Sequence, residues 1–70
     1  MTEYEKSIDI LATSYIAVHH IDALSFVMDD IDYAVGLREW DKTQALYSIQ
    51  IRIQQIQQAR ANAARNVAGA

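Results

Sequence analysis

A single break near the middle of this chain interrupts an otherwise continuous helical pattern. Gly36 is one of only two glycines and stands where a left-handed residue ends a helix. Asp41 and Gln44 then have the D-x-x-Q spacing of a capping box, and Thr2 and Glu5 have the equivalent T-x-x-E spacing at the N-terminus. The sequence therefore predicts a first helix over about 3–35, a turn over 36–41 and a second helix over about 42–66.

Apolar residues in the predicted first helix recur with the alternating steps of four and three that are typical of a coiled-coil seam. The spacing slips once, because Val18, Ile21 and Leu24 are separated by two steps of three. A slip of this kind turns the seam toward a different neighbour, so the two halves of the helix are expected to contact different subunits. The seam residues are Tyr4, Ile8, Leu11, Tyr15 and Val18 before the slip, and Ile21, Leu24, Met28, Ile31 and Val35 after it.

The second half of the chain continues the helical period, which Arg60 interrupts once. Its apolar positions are Leu46, Ile49, Ile53, Ile56, Ala63 and Val67. Residues 47–53 also alternate between apolar and polar side chains, as a β-strand would. We favour a helix, because the chain offers no partner strand and the following residues are good helix formers.

These patterns predict an all-α fold in which two antiparallel helices form a hairpin. A chain of 70 residues with 51% hydrophobic content, no proline and no cysteine is near the lower limit for a stable core without disulfides. Two helices alone do not enclose a core. We therefore expect one domain over residues 1–70 that assembles into a homo-oligomeric helical bundle.

Charge and composition narrow the classes of partner. A net charge of −3 argues against binding to duplex nucleic acid, which favours basic domains. No apolar stretch reaches the roughly 20 residues of a membrane span, and the N-terminus lacks the features of a signal peptide, so we expect a cytoplasmic protein with no membrane partner. The first helix is acidic and the second is basic, which favours their antiparallel pairing.

Several charged and aromatic side chains are candidates for a role in binding. Asp29, Asp30 and Asp32 lie near the end of the first helix, where carboxylates oppose the helix dipole. Either Arg38 or Lys42 across the turn, or a basic surface of a partner protein, is expected to offset this repulsion.

Trp40 lies beside the turn, and two roles are open for it. It either packs back on its own hairpin or anchors a partner protein, since tryptophan is enriched among binding hot spots. The adjacent pair His19 and His20 points about 100° apart on a helix and therefore cannot chelate one ion. We expect no metal and no cofactor. We interpret these histidines as ordinary residues at a helix–helix boundary, and a pH-sensitive interface is the alternative.

The arginines of the second helix provide fork-shaped donors that suit phosphate groups. In an antiparallel hairpin, the beginning of the first helix lies beside the end of the second, so tyrosines of the first helix are positioned to stack on a base. No Gly-rich phosphate loop is present in the sequence, and we expect no enzymatic activity. The candidate ligand-binding residues are Arg52, Arg60, Arg65, Asn62, Tyr4 and Tyr15.

The segment from Ile56 to Val67 resembles the closing helix of the viral helical-hairpin sponges that sequester cyclic nucleotide signals of bacterial antiphage defence. In that family an alanine-rich helix ends in an alanine, an arginine two residues later and a following apolar residue, which here are Ala63, Arg65 and Val67. The resemblance implies an obligate oligomer, phosphate-binding arginines at subunit interfaces and no catalytic turnover.

Two functions therefore remain open, and both are non-enzymatic. The first is a small regulatory or inhibitory protein, viral by the resemblance, that sequesters a phosphate-bearing signalling nucleotide between subunits. The second is an adaptor, chaperone or inhibitor that binds another protein through its helix surface, its Trp40 tip or its aspartate cluster. The positions of the arginines on the second helix distinguish these functions. Arginines that converge across a subunit interface would favour nucleotide sequestration, and arginines scattered into solvent would favour an adaptor.

Overall fold

The computed structural model describes the backbone of residues 2–69 and the side chains of residues 2–65. Secondary structure in this part of the chain is entirely helical, which confirms the all-α class and rules out a strand over 47–53. The elements are α1 (Glu3–His19), a 3₁₀ turn (His20–Asp22), α2 (Ala23–Gly36) and α3 (Trp40–Gly69).

The first helical segment is bent, whereas the sequence predicted one continuous helix. The 3₁₀ turn separates α1 from α2 where the apolar spacing slips. Across this bend the Tyr15 hydroxyl donates a hydrogen bond to the Asp30 carboxylate. Fifteen residues of straight helix would hold these side chains about 22 Å apart, so α1 and α2 must fold back on each other.

Both halves of the bent segment pack on α3. Contacts between α1 and α3 advance in the same direction along the two helices, and they join Tyr4 to Ser48, Asp9 to Arg52 and His20 to Gln57. The structure is therefore a bundle of three helices in which α2 and α3 form the helical hairpin. The bend also corrects one expectation, because Tyr4 lies beside Ser48 and not beside the C-terminal arginines.

The turn between α2 and α3 uses a different residue from the one predicted. The amide of Arg38 donates to the carbonyl of Val35, and the amide of Glu39 donates to that of Ala34, both at 3.0 Å. This pattern is the Schellman motif, in which the penultimate residue is left-handed. That residue is Arg38, with φ of 58°, while Gly36 ends α2 without a positive φ.

The second predicted helix begins earlier than expected. The Thr43 amide donates to the Glu39 carbonyl at 2.9 Å, so the first helical residue is Trp40. Asp41 therefore lies within the first turn, where it complements the helix dipole, and it does not form the predicted capping box with Gln44. The predicted cap of α1 is confirmed, since the Thr2 hydroxyl accepts from the Glu5 amide at 3.1 Å.

The core is enclosed within one chain, because the bend brings a third helix against the hairpin. The predicted apolar stripe of α3 is confirmed in its first part, with Leu46, Ile49 and Ile53 buried and Ile56 partly buried. Ala63 is exposed, and the side chain of Val67 lies outside the described residues. The predicted seams of α1 and α2 are largely wrong, because alanines that were not counted as core allow close helix approach. The buried hydrophobic residues are Ile8, Ala12, Ile16, Ala23, Val27, Ile31, Ala34, Leu46, Ile49 and Ile53.

Much apolar surface remains exposed on α1 and α2. One window within Glu3–Gly36 reaches a mean hydropathy of 1.3, which by length and composition alone would suit a membrane span, although helices of soluble proteins pass the same test. The bend divides this segment into helices of 17 and 14 residues, both shorter than the roughly 20 residues of a span. The exposed seam residues are Tyr4, Leu11, Val18, Ile21, Met28 and Val35.

Candidate functional site

Arg52 is engaged within the fold. Its Nε lies 2.7 Å from Oδ1 of Asp9, and its Nη1 donates to Oε1 of Gln55 at 3.4 Å. An arginine that already neutralises a carboxylate is a weaker phosphate ligand than the sequence predicted. Its role is to join α1 to α3.

An open groove of about 410 Å³ brings Tyr4 and Arg52 together. The Tyr4 hydroxyl lies 3.2 Å from Oγ of Ser48. The sequence predicted tyrosines of the first helix beside the arginines near the end of the second, whereas Tyr4 lies beside Arg52 in the first half of α3. The carboxylate of Glu5 also lines the groove and that of Asp9 binds the arginine, so the site is electrostatically unsuited to a phosphate group.

Arg60 lies at the bend instead. It shares an open groove of about 380 Å³ with Ile16, His20, Ile21 and Gln57, and the amide of Gln57 donates to the carbonyl of His20 at 3.5 Å. Within the side chains described, residues 2–65, carboxylates pair only with Lys6, Lys42 and Arg52. Arg60 therefore keeps its donors available to a ligand.

The other predicted ligand residues do not converge with Arg60 on one site. Arg65 is exposed further along α3, and Asn62 accepts a hydrogen bond from Gln58 at 3.1 Å. Tyr15 faces α2, where it binds Asp30. The side chain of Val67, the last residue of the sequence resemblance, lies outside the described part of the chain.

An aromatic cluster at the bend was not predicted from the sequence. The ring of His19 stacks on that of Phe26, with centroids 3.7 Å apart and planes inclined by 11°. Tyr15 packs next to His19, at 6.1 Å between ring centroids. Burial, the hydrogen bond to Asp30 and the negative charge of Asp30 raise the pKa of Tyr15 to about 12. The signal in the sequence was the four-residue spacing of Tyr15 and His19 next to the slip in apolar spacing.

Among the side chains described, neither Arg38 nor Lys42 offsets the charge of the aspartate cluster, although this offset was the first of the two predicted alternatives. Lys42 pairs with Glu39, at 3.7 Å between Nζ and Oε2, and Asp30 binds Tyr15. No ion pair reaches Asp29 or Asp32 among the side chains that the structure describes. Nor do the described residues include a group of three or more histidine or acidic side chains arranged to hold a metal ion.

Trp40 lies in the first turn of α3 with 61% of its surface exposed, and so does not pack back on its own hairpin. Tyr47 and Ile51 are 51% and 55% exposed. The three residues are seven and four positions apart, so they share one face of α3. We call this set the outer stripe. The sequence analysis singled out Trp40 but missed its two neighbours on this face.

Comparison of the chain with protein-family models, with curated proteins and with solved structures gives no match.

Proposed function

We propose that this chain is a non-catalytic protein-binding module that docks a helix of another protein on its outer stripe. The observation that carries the proposal is the exposure of Trp40, Tyr47 and Ile51 on one face of α3. Tryptophan and tyrosine supply most of the binding energy in many interfaces, because they bury large apolar areas at low entropic cost. Exposed aliphatic and aromatic groups aligned along a helix are a typical docking surface.

The spacing of the outer stripe favours a partner helix over a flat protein surface. Trp40, Tyr47 and Ile51 occupy positions of a heptad register that continues through Gln44, Gln54 and Gln58. Side chains in such a register insert between those of a facing helix. The side chains of Gln44, Gln54 and Gln58 are neutral amides and carry no charge. We therefore expect a partner helix whose contacting face is apolar and has no charged residue at its centre.

The test uses Trp40 as its own probe, because it is the only tryptophan in the chain. A partner isolated with the tagged protein is purified and titrated against it, and docking is expected to shift the tryptophan emission to shorter wavelength. Tyr47→Ala is expected to weaken binding by about 2 kcal/mol, roughly thirtyfold. Ser25→Ala, at an exposed position of α2 outside the outer stripe, is the control and should bind normally. Equal affinity of the two variants would contradict the proposal.

Self-association is a second part of the proposal, because α1 and α2 expose more apolar side chains than a small monomer needs. Isolated apolar residues on a surface are ordinary, but this surface spans both arms of the bend. These residues are Ile10, Leu11, Val18, Ile21, Phe26, Met28, Tyr33 and Val35.

Sequestration of a phosphate-bearing nucleotide is the second candidate, and the position of Arg60 supports it. Arg60 sits in a groove without a carboxylate among its lining residues, next to His20 and Gln57. A bound nucleotide at a hundredfold excess over its dissociation constant would stabilise the fold by about 2.7 kcal/mol. We would therefore measure melting temperatures with a panel of cyclic di- and trinucleotides.

In that panel, Arg60→Ala is expected to remove the thermal shift without lowering the melting temperature of the free protein, because Arg60 is the arginine that lines this groove. Arg38→Ala, which removes an exposed arginine at the opposite end of α3, is the control. Unchanged melting temperatures with every nucleotide would exclude this candidate and leave the protein-binding proposal untouched.

A further inference from the structure

The bend between α1 and α2 places an ordinary residue in a conformation that favours glycine. His20 has φ of 54° and ψ of −126°. Side chains with a Cβ atom rarely adopt this region, and residues held there store backbone strain. The surrounding sequence, Val18 to Ala23, contains neither glycine nor proline. Nothing in the local sequence therefore requires the helix to bend at this point.

From this we infer that the protein forms a domain-swapped dimer in which the bend straightens. In the dimer, residues 3–36 form one continuous helix, and α1 leaves its own hairpin to pack on the α2–α3 hairpin of a second copy. The inference rests on the self-association part of the proposed function, but the strained bend carries it and the exposed apolar surface does not. It also explains why the sequence pattern predicts a single long helix whose two halves contact different subunits.

The swap keeps the contacts that α1 makes in the monomer. The contacts of Tyr4 with Ser48, Asp9 with Arg52 and Tyr15 with Asp30 join side chains on opposite sides of the bend, so each is re-formed between chains. The buried face of α1 is covered in the same way. What changes is the bend itself, where His20 relaxes into a helical conformation and the backbone gains helical hydrogen bonds.

The dimer is favoured because straightening the bend relieves the backbone strain at His20. The monomer is favoured at low protein concentration. Domain swapping costs little when the exchanged element makes identical contacts and the hinge is short and strained. The hinge here is a three-residue 3₁₀ turn. The hydrogen bond from Gln57 to the His20 carbonyl holds the bent form, because a continuous helix would use that carbonyl in its own backbone hydrogen bonds.

The first test changes the bend residue and measures mass by analytical ultracentrifugation over a range of concentrations. His20→Gly removes the strain of the bent form and weakens a continuous helix, so it is expected to shift the protein toward monomer. His20→Ala retains the strain and favours the helix. Because each dimer contains two bends, the dimerisation constants of the two variants should differ by at least about tenfold. Equal constants would overturn the inference.

The second test asks which chain supplies the contact, and it exploits the absence of native cysteine. One chain carries Asp9→Cys and the other carries Arg52→Cys, and they are refolded together and treated with a short bismaleimide. A swapped dimer is expected to give a covalent pair of the two chains. Ser14→Cys replaces Asp9→Cys in the control, since Ser14 is exposed on the side of α1 away from Asp9 and should not cross-link.

The outcomes separate this inference from the proposal beneath it. A dimer by mass without covalent pairs between the chains would show self-association without swapping, and the inference would be wrong while the proposal survives. A protein that stays monomeric at all concentrations, including as His20→Ala, would remove both. The outer stripe is intact in every variant, so the proposed binding of a partner helix is unaffected by either result.

Discussion

The guanidinium of Arg52 holds the carboxylate of Asp9 across the α1–α3 contact, with 2.7 Å between Nε and Oδ1. This pair fixes the direction of α1 along α3. Both side chains are about 40% exposed, so water and salt screen their attraction. We expect a coupling energy of about 0.5 kcal/mol from a double-mutant cycle of Asp9→Asn and Arg52→Gln in urea unfolding. The coupling should shrink in 1 M salt, and a coupling unaffected by salt would contradict a screened ion pair.

Tyr15 gives the fold a dependence on alkaline pH. Its pKa is raised to about 12 in the folded protein, chiefly by burial and then by Asp30, against 10.0 for an ordinary tyrosine. The unfolded chain therefore loses this proton first, and the stabilisation present below pH 10 is lost as the pH rises toward 12.

The measurement for Tyr15 compares urea unfolding of the wild type and of Tyr15→Phe from pH 8 to pH 12. The wild type should lose more stability over this range than the variant. The other tyrosines titrate in both proteins, so the difference between them isolates Tyr15. Parallel pH profiles would show that the pKa of Tyr15 is not raised in the folded protein.

The turn between α2 and α3 offers a stabilising substitution. Arg38 is left-handed, a conformation that costs a residue with a Cβ atom about 1 kcal/mol relative to glycine. Arg38→Gly should raise the free energy of unfolding by about this amount, measured by thermal or urea unfolding. Arg38→Ala removes the same side chain but keeps Cβ, and should give no gain. Greater stability of Arg38→Ala than of the wild type would show that the charge of Arg38, and not its left-handed backbone, is what destabilises the turn.

Gly36 is the complementary case. It is helical, it has no positive φ, and a Cβ atom added there would meet nothing within 4 Å. Gly36→Ala should stabilise the protein by about 0.5–1 kcal/mol, because alanine loses less backbone entropy on forming a helix. Destabilisation on substitution would restore the left-handed role that the sequence predicted for Gly36.

Two isoleucines two positions apart test the orientation of α3. Ile53 is fully buried, whereas Ile51 is 55% exposed. Ile53→Ala should cost about 2–4 kcal/mol of unfolding free energy through lost burial and a residual cavity. Ile51→Ala should change stability by less than about 0.5 kcal/mol. Similar costs at both positions would mean that the outer stripe is part of a core.

The sequence predicted most of α3 and little of how α1 and α2 are placed. In α3, the periodicity of Leu46, Ile49 and Ile53 identified the buried face, since large aliphatic residues dominate it. In α1 and α2 the buried face is built around Ala12, Ala23 and Ala34, which are too small to stand out in an apolar pattern. An alanine becomes a core residue only where a neighbouring helix packs closely against it, and the sequence alone does not show where that happens.

The bend could not be predicted, because no helix-breaking residue marks it. A slip in the spacing at Ile21 indicated that something changes there, but a slip is equally compatible with a straight helix that contacts two partners. Among the candidate binding residues, Arg52 and Tyr15 were identified by residue type alone. Their partners Asp9 and Asp30 come from α1 and α2, and only the three-dimensional arrangement assigns these pairs.

Residues 58–65 of α3 are exposed around the whole helix, whereas the preceding Gln57 contacts the bend. This stretch depends on its own alanine-rich sequence for its helical structure, and such single helices melt gradually as temperature rises. A ligand that binds Arg65 must therefore also stabilise the helical structure of this stretch of α3. Its affinity should fall on warming, with a binding enthalpy that includes the heat of helix formation.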